Sequence, residues 1–164
     1  MGTEPEVVTG ILSIGRKDAY VLFDSGSTHS FASPNFIMST SLPSQGLEME
    51  LAVKTPTGGT LIASEVIKDC PILIKDKTLK VDLVTLPIRD FDVILGMDWL
   101  TSNHAKIDFY KKEVRFNLPG QTPIVFFQDG WRTEEASQPP RGWRTGDASL
   151  EYGGSRTKET TQPL

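Results

Sequence analysis

An all-β fold, a barrel or a sandwich, is what this sequence predicts, and three observations carry the expectation. Short runs rich in valine, isoleucine, leucine and phenylalanine recur at close spacing. Clusters of glycine, proline and polar residues punctuate them. One short helix, just past Gly96 near the C-terminal side of the domain, is all the helix the pattern requires. The chain has 164 residues, 38% hydrophobic and 23% charged, with 14 glycines and 11 prolines, which bounds it to one domain plus a tail.

Val7 to Ile14 and Ala19 to Phe23 are β-type runs joined by Gly15, Arg16, Lys17 and Asp18, which reads as a hairpin. PNFIMST, from Pro34, has the character of a helical turn. Leu47 to Val53 alternates acidic and apolar residues; KTPTGGT then interrupts, and LIASEVI resumes the strand character, so a long hairpin with a flexible tip is expected. Pro71 to Ile74 and Leu79 to Leu86 flank the turn KDKT, with Cys70 at a strand boundary and Val81 and Leu83 sharing a face. Ala105 to Phe109 and Glu113 to Asn117 enclose YKKE as another hairpin, and Pro123 to Phe127 is the last strand expected.

Composition shifts at about Asp129. Beyond Gly130 the chain holds three prolines, four glycines and little aliphatic material, too little to bury the surface that ordering requires. The organisation expected is thus an N-terminal extension over 1–6, a domain over 7–128 and a disordered tail over 129–164. Within that tail GWRTEEAS, from Gly130, returns as GWRTGDAS, from Gly142. Two copies are too few and too short for a solenoid, so Trp131 and Trp143 are read as part of the tail rather than as ligand anchors.

Formal charge is −4; up to position 130 there are 12 basic against 16 acidic residues, and 5 against 5 beyond it, so the acidic excess belongs to the domain. No basic face for nucleic acid is evident. The single Cys70 excludes an intrachain disulfide, a multi-cysteine zinc site and zinc knuckles, and suits a reducing compartment. MGTEPEVV lacks a charged segment followed by an apolar one, and no apolar run approaches about 18 residues. Neither export nor membrane insertion is expected, which leaves a cytoplasmic location; Glu6 also spoils the myristoylation pattern after Gly2.

Chemistry concentrates in two motifs. Residues 19 to 31 read AYVLFDSGSTHSF: a buried-strand pattern ends on Asp24 and breaks into Ser25-Gly26-Ser27. That holds one carboxylate at the rim of a core, with hydroxyls on both sides and a glycine whose backbone can approach it closely. Residues 91 to 100 read FDVILGMDWL, a strand of two large apolar residues and a glycine (Ile94, Leu95, Gly96) that turns into a helix with Asp98 in its first turn.

Asp-Ser-Gly resembles the active-site loop of aspartic proteases. DSGSTHSF looks like the form found in the retropepsin-like proteases of plant Ty3/Gypsy-type long-terminal-repeat retrotransposons, where the protease is a segment of a Gag-Pol polyprotein. FDVILGMDWL is similar to the strand and helix that cross beneath the retropepsin catalytic loop. The two motifs stand in the family's order, with a hairpin between them and HAKIDFYKKEVRFN after them, so the resemblance covers roughly residues 7 to 127. It implies a single-lobe, retropepsin-like acid protease barrel and an aspartic endopeptidase that needs neither cofactor nor metal.

Paired carboxylates hydrolyse peptides because two acids at close range cannot both ionise: one serves as base on a water while the other, protonated, polarises the carbonyl. This chain offers one such loop. Asp92 and Asp98 lack a following Ser/Thr-Gly, and capping or solvent-facing roles suffice for both. The second Asp24 must then come from another copy across a twofold, and the expected partners are that copy and an extended peptide or polyprotein substrate. Resemblance gives Ser25 a hydrogen bond across the dimer axis and Thr55, Pro56, Thr57, Gly58 and Gly59 the role of a flap closing over substrate by strand pairing. Ile94, Leu95 and Gly96 would support the site. The Ser27 hydroxyl is expected to aim at the ionised carboxylate of Asp24. His29 needs no catalytic part, since the reaction uses no third base, and His104 reads as a helix-terminal surface residue. The alternative to a protease is a domesticated or inactive module of the same fold that dimerises and binds peptide without cutting it.

Overall fold

The computed structural model describes residues 7–55, 58–128 and 130–133, the last two as backbone only, and strands dominate them. β1 (Val8–Ile14) and β2 (Lys17–Phe23) form the first hairpin, with Val8 opposite Phe23 and Ile14 opposite Lys17. Gly15 and Arg16 make its turn at φ 59° and 65°, the left-handed pair whose twist matches that of the strands. Val8, Leu12 and Ile14 alternate inward and are buried, as the two-residue period of a half-buried strand dictates.

β3 (Phe31–Ala32) leads into α1 (Pro34–Thr40). Ser33 caps α1 by accepting from the Phe36 N–H at 3.2 Å, and Pro34 stands where a missing N–H costs nothing. With α2 (Met97–Ser102) the described residues hold two short helices, one more than the fold expectation; the Ser-Pro start is enough to extend PNFIMST from a turn into a helix.

β4 (Gln45–Lys54) and β5 (Thr60–Ile74) build the long hairpin, β6 (Lys77–Thr85) returns along β5, and β7 (Val93–Leu95) runs parallel to β2. The strand order is β1-β2-β7-β3-β6-β5-β4, and pairing of Ser13 and Ile14 with Leu73 and Ile72 closes the first six into a mixed barrel. β4 stays outside as the free edge. The strand boundary expected at Cys70 and Pro71 is absent, because β5 bends rather than breaks. Its register slips between Ile67 and Cys70, Asp69 sits at φ 54°, and the Asp69 N–H donates to Asp82 Oδ1 at 2.9 Å, as a β-bulge arranges. Pro71 lacks a donor, yet its carbonyl accepts from the Gly15 N–H at 2.7 Å. Cys70 is a core residue whose thiol burial pushes up to about 11.

A second sheet follows α2: β8 (Ala105–Asp108), β9 (Glu113–Phe116), β10 (Ile124–Phe127) and β11 (Gly130–Thr133), in the order β11-β10-β9-β8. β11 falls inside the stretch whose composition reads as tail from 129. One aromatic explains the difference: Trp131 meets Phe126 edge to face at 4.8 Å between ring centroids and lies 6.1 Å from Phe116, a burial that composition averaged over the stretch conceals. Residues 1–6, and 134–164 with the second GWRT copy, lie outside the described residues.

Phe126 fastens this sheet to the barrel. Its ring lies 5.5 Å from that of Phe23 and over Gly10, where an added Cβ would collide with it. The main core gathers Leu12, Ile14, Val21, Phe23, Ile72, Leu83, Leu95, Trp99 and Phe116. A smaller cluster of Phe31, Ala63, Val66, Val84 and Leu86 lies beside the long hairpin, with Leu51, Val53, Leu61 and Ile94 packed against it. Among the described residues, no helix is long and apolar enough to cross a membrane.

Candidate active site

β2 ends on Phe23, fully buried, and the next residue is Asp24, half-buried. Parallel pairing of β2 with β7 sets the position: Phe23 lies opposite Leu95, and the Asp24 N–H donates to the Leu95 carbonyl at 2.9 Å. The chain then turns back on the carboxylate. The Gly26 N–H donates to Asp24 Oδ1 at 2.9 Å, and the Ser27 N–H donates to the Asp24 carbonyl at 3.2 Å. A Cβ on Gly26 would lie 3.3 Å from Oδ1, a tight contact that glycine avoids. Ser25 and Gly26 are exposed at the crest of the loop.

Beneath the loop, Gly96 begins α2 with ordinary extended backbone, φ −102°. Space is what it supplies. A Cβ there would collide with the His29 carbonyl oxygen and come within 2.7 Å of the Ser27 carbonyl oxygen. The same crossing brings the Met97 N–H to the Ser27 carbonyl at 2.7 Å. Ile94 and Leu95, expected as support, hold separate places: Leu95 is in the main core and Ile94 packs on the cluster beside the hairpin.

Ser27 is a correction. Its hydroxyl donates to the His29 carbonyl at 2.8 Å, and a hydroxyl has one proton to give, so the loop's own fold uses the donor expected at Asp24. The residue that the motif reading passed over is Ser30. It is fully buried; its Oγ accepts from the Gly96 N–H at 3.0 Å and donates to Asp98 Oδ1 at 2.8 Å. Asp98 Oδ1 also accepts from the Trp99 N–H at 2.8 Å. Since the partners stand 68 residues apart, no local spacing signals this link.

The other two acids of the motifs, Asp92 and Asp98, have structural work. Asp92 Oδ2 accepts from the Tyr20 N–H at 2.9 Å, the Asp92 N–H donates back to the Tyr20 carbonyl at 2.9 Å, and Ser33 N–H donates to the Asp92 carbonyl. His29 Nδ1 lies 2.9 Å from Thr28 Oγ1, and His104 is exposed just past α2 at φ 52°. Of the three acids in the two motifs, Asp24 is the one that stands on the DSG loop with its Oδ1 held by the Gly26 N–H, and one carboxylate alone lacks the second acid that peptide hydrolysis of this type requires.

At the hairpin tip, Thr55 is bound to Gly59 through N–H to carbonyl at 2.9 Å, and its Oγ1 accepts from the Gly59 N–H at 3.1 Å. Gly58 has φ 98°. Pro56 and Thr57 lie outside the described residues.

The retroviral aspartyl protease family profile matches residues 1–121, and the chain belongs to that family. Proteases of this family typically act as homodimers. Among solved structures the chain is similar to the retroviral protease-like domain of Ddi1 from Leishmania major, at 14% identity and a TM-score of 0.54, covering 70% of this chain and 90% of that one. It is also similar to the EIAV protease complexed with the inhibitor HBY-793, at 18% identity and a TM-score of 0.51, covering 66% of this chain and 98% of that one. At such identities the likeness is one of fold. No curated protein matches.

Proposed function

We propose that the chain is an aspartic endopeptidase that works inside the cell as a homodimer, each copy giving one Asp24, and that it processes the Gag-Pol polyprotein of a plant Ty3/Gypsy-type retrotransposon. The observation that carries this reading is the single DSG loop on a family domain, whose other nearby acids, Asp92 and Asp98, are engaged in structural hydrogen bonds. In the dimer one Asp24 is ionised and removes a proton from water as its oxygen attacks the scissile carbonyl carbon. The other Asp24, protonated, gives its proton to the carbonyl oxygen. Collapse of the tetrahedral intermediate then breaks the C–N bond, with a proton passing to the amine. Ser25 braces the paired loops across the twofold, and Thr55 to Gly59 close over an extended peptide held by backbone pairing with the hairpin strands.

Stoichiometry tests this directly. Specific activity on a peptide library at acidic pH should rise with protein concentration as monomers pair. Asp24→Asn should fold and cut nothing, and in excess it should suppress wild-type activity by trapping wild-type chains in one-carboxylate heterodimers. Asp92 or Asp98 variants should show no such dominance. A dimer that binds the library peptides but cleaves none would favour the inactive peptide-binding module instead.

A further inference from the structure

Where β1 closes onto β5, a cleft of about 200 Å³ opens on the outside of the barrel, lined by Ser13, Arg16, Pro71, Leu73 and Thr78. Strand register builds it. Ser13 stands opposite Leu73, and Leu73 opposite Thr78, so the three side chains form one row across β1, β5 and β6 at the spacing of cross-strand neighbours. The first hairpin turn brings Arg16 to them: the Gly15 N–H donates to the Pro71 carbonyl at 2.7 Å, and Arg16 follows at φ 65°.

The lining divides by chemistry. Leu73, left 43% exposed, and Pro71 are apolar. Ser13, Arg16 and Thr78 are polar, and among the described residues none of their side chains has a hydrogen bond or an ion pair. Lys80 stands opposite Pro71 on the same face and adds a second cation. Asp18, opposite Ser13, makes no ion pair with Arg16.

We propose that this cleft binds a carboxylate carried beside an apolar group, the carboxylate on the Arg16 guanidinium and the Ser13 and Thr78 hydroxyls, the apolar part on Leu73 and Pro71. A guanidinium meets a carboxylate with two parallel hydrogen bonds, which fixes orientation as well as charge. The volume sets the size of the ligand. It is below the roughly 300 Å³ at which sites for drug-sized molecules begin, so the cleft takes one residue of a peptide: a C-terminal residue, or an Asp or Glu with an apolar neighbour. The seven residues of β2, roughly 23 Å of strand, run between the Gly15-Arg16 turn and Asp24. Occupancy therefore leaves the Asp24 loop open.

Amide NMR titration of the full chain with three peptides tests both the seat and its ligand. The peptides are acetyl-Ala-Ala-Leu with a free C-terminal carboxylate, the same peptide as its amide, and acetyl-Ala-Glu-Leu amide. Saturable shifts at Ser13, Arg16, Leu73 and Thr78 should come with the acids and not with the first amide. Which of the two acids binds tells a chain end from a side chain as the source of the carboxylate. Arg16→Asn keeps a residue that tolerates left-handed backbone, and it should weaken binding on the order of 10-fold or more, as loss of a charge-assisted hydrogen bond does. Leu73→Ser should weaken it a few-fold by removing apolar contact. No shift at the four residues with either acid up to about 10 mM overturns the proposal. So does an amide that binds as well as its acid, or undiminished binding to Arg16→Asn or to Leu73→Ser.

Discussion

The Asp24 loop and the tip of the β4–β5 hairpin are made of the same materials and held in opposite ways. Each is a break of serine, threonine and glycine between apolar strands: Ser25-Gly26-Ser27-Thr28 in one, Thr55, Gly58, Gly59 and Thr60 in the other. The loop is tied across the chain, from Asp24 to Leu95, from Ser27 to Met97 and from Ser30 to Gly96 and Asp98. At the tip, the hydrogen bonds of Gly58 and Gly59 run to Thr55. Their glycines differ accordingly. Gly96 has backbone any residue adopts and no room for a side chain; Gly58 has a φ that favours glycine and, among the described residues, nothing within 4 Å of an added Cβ. Composition describes what a loop is made of, while what lies beneath it decides whether it can hold a catalytic group still.

The largest effect that tests this contrast is Gly96→Ala. The methyl group has only loop backbone to displace, so the variant should lose about 3 kcal/mol of stability or more. A shift of about 1 Å in the carboxylate should cost activity on the order of 100-fold even where the fold survives. Denaturant midpoints and peptide cleavage measure the two losses, and a variant that keeps both would mean the crossing under the loop is loose. Ser30→Ala comes next. It strips the buried Gly96 N–H of its acceptor, at about 1–3 kcal/mol. Asp98→Ala should cost less, about 1 kcal/mol, because Asp98 is exposed and water can replace it at the Ser30 hydroxyl. The reverse order would put the strength of the link in the carboxylate.

The local signals were legible in the residues and the long-range ones were not. The apolar run into Asp24, the Gly15-Arg16 turn and the glycine at the strand-to-helix junction each announce themselves within a few positions, because strand period and turn dihedrals are local properties. Pro71 misled because proline reads as a break, whereas a bulge at Asp69 and a carbonyl bond from Gly15 keep β5 continuous. β11 was hidden by composition, since its Trp131, which packs on the core, is one aromatic in a polar stretch. Gly10 gave no sign of its use, for the Phe126 ring that fills its notch arrives from the far end of the domain. Ser27 and Ser30 exchanged significance for the same reason: which hydroxyl reaches which partner depends on how α2 passes beneath the loop.

The smallest effect comes from Gly58→Ala, and it is the sharpest test of the difference between the two regions. At φ 98° an alanine is strained, and the penalty for left-handed backbone in a residue with a Cβ is about 1 kcal/mol. Nothing near the site of the new methyl group has to move, so the strain stays in the tip. Stability should fall by no more than that amount, and the Asp24 loop should be untouched. If the tip closes on substrate, the variant should raise KM a few-fold with kcat nearly unchanged, because the strained tip is slower to reach the closed hairpin while the carboxylates remain in place. A fall in kcat as deep as that of Gly96→Ala would mean that the tip and the Asp24 loop are mechanically one unit, and that the locked and free-standing halves of the comparison are not distinct.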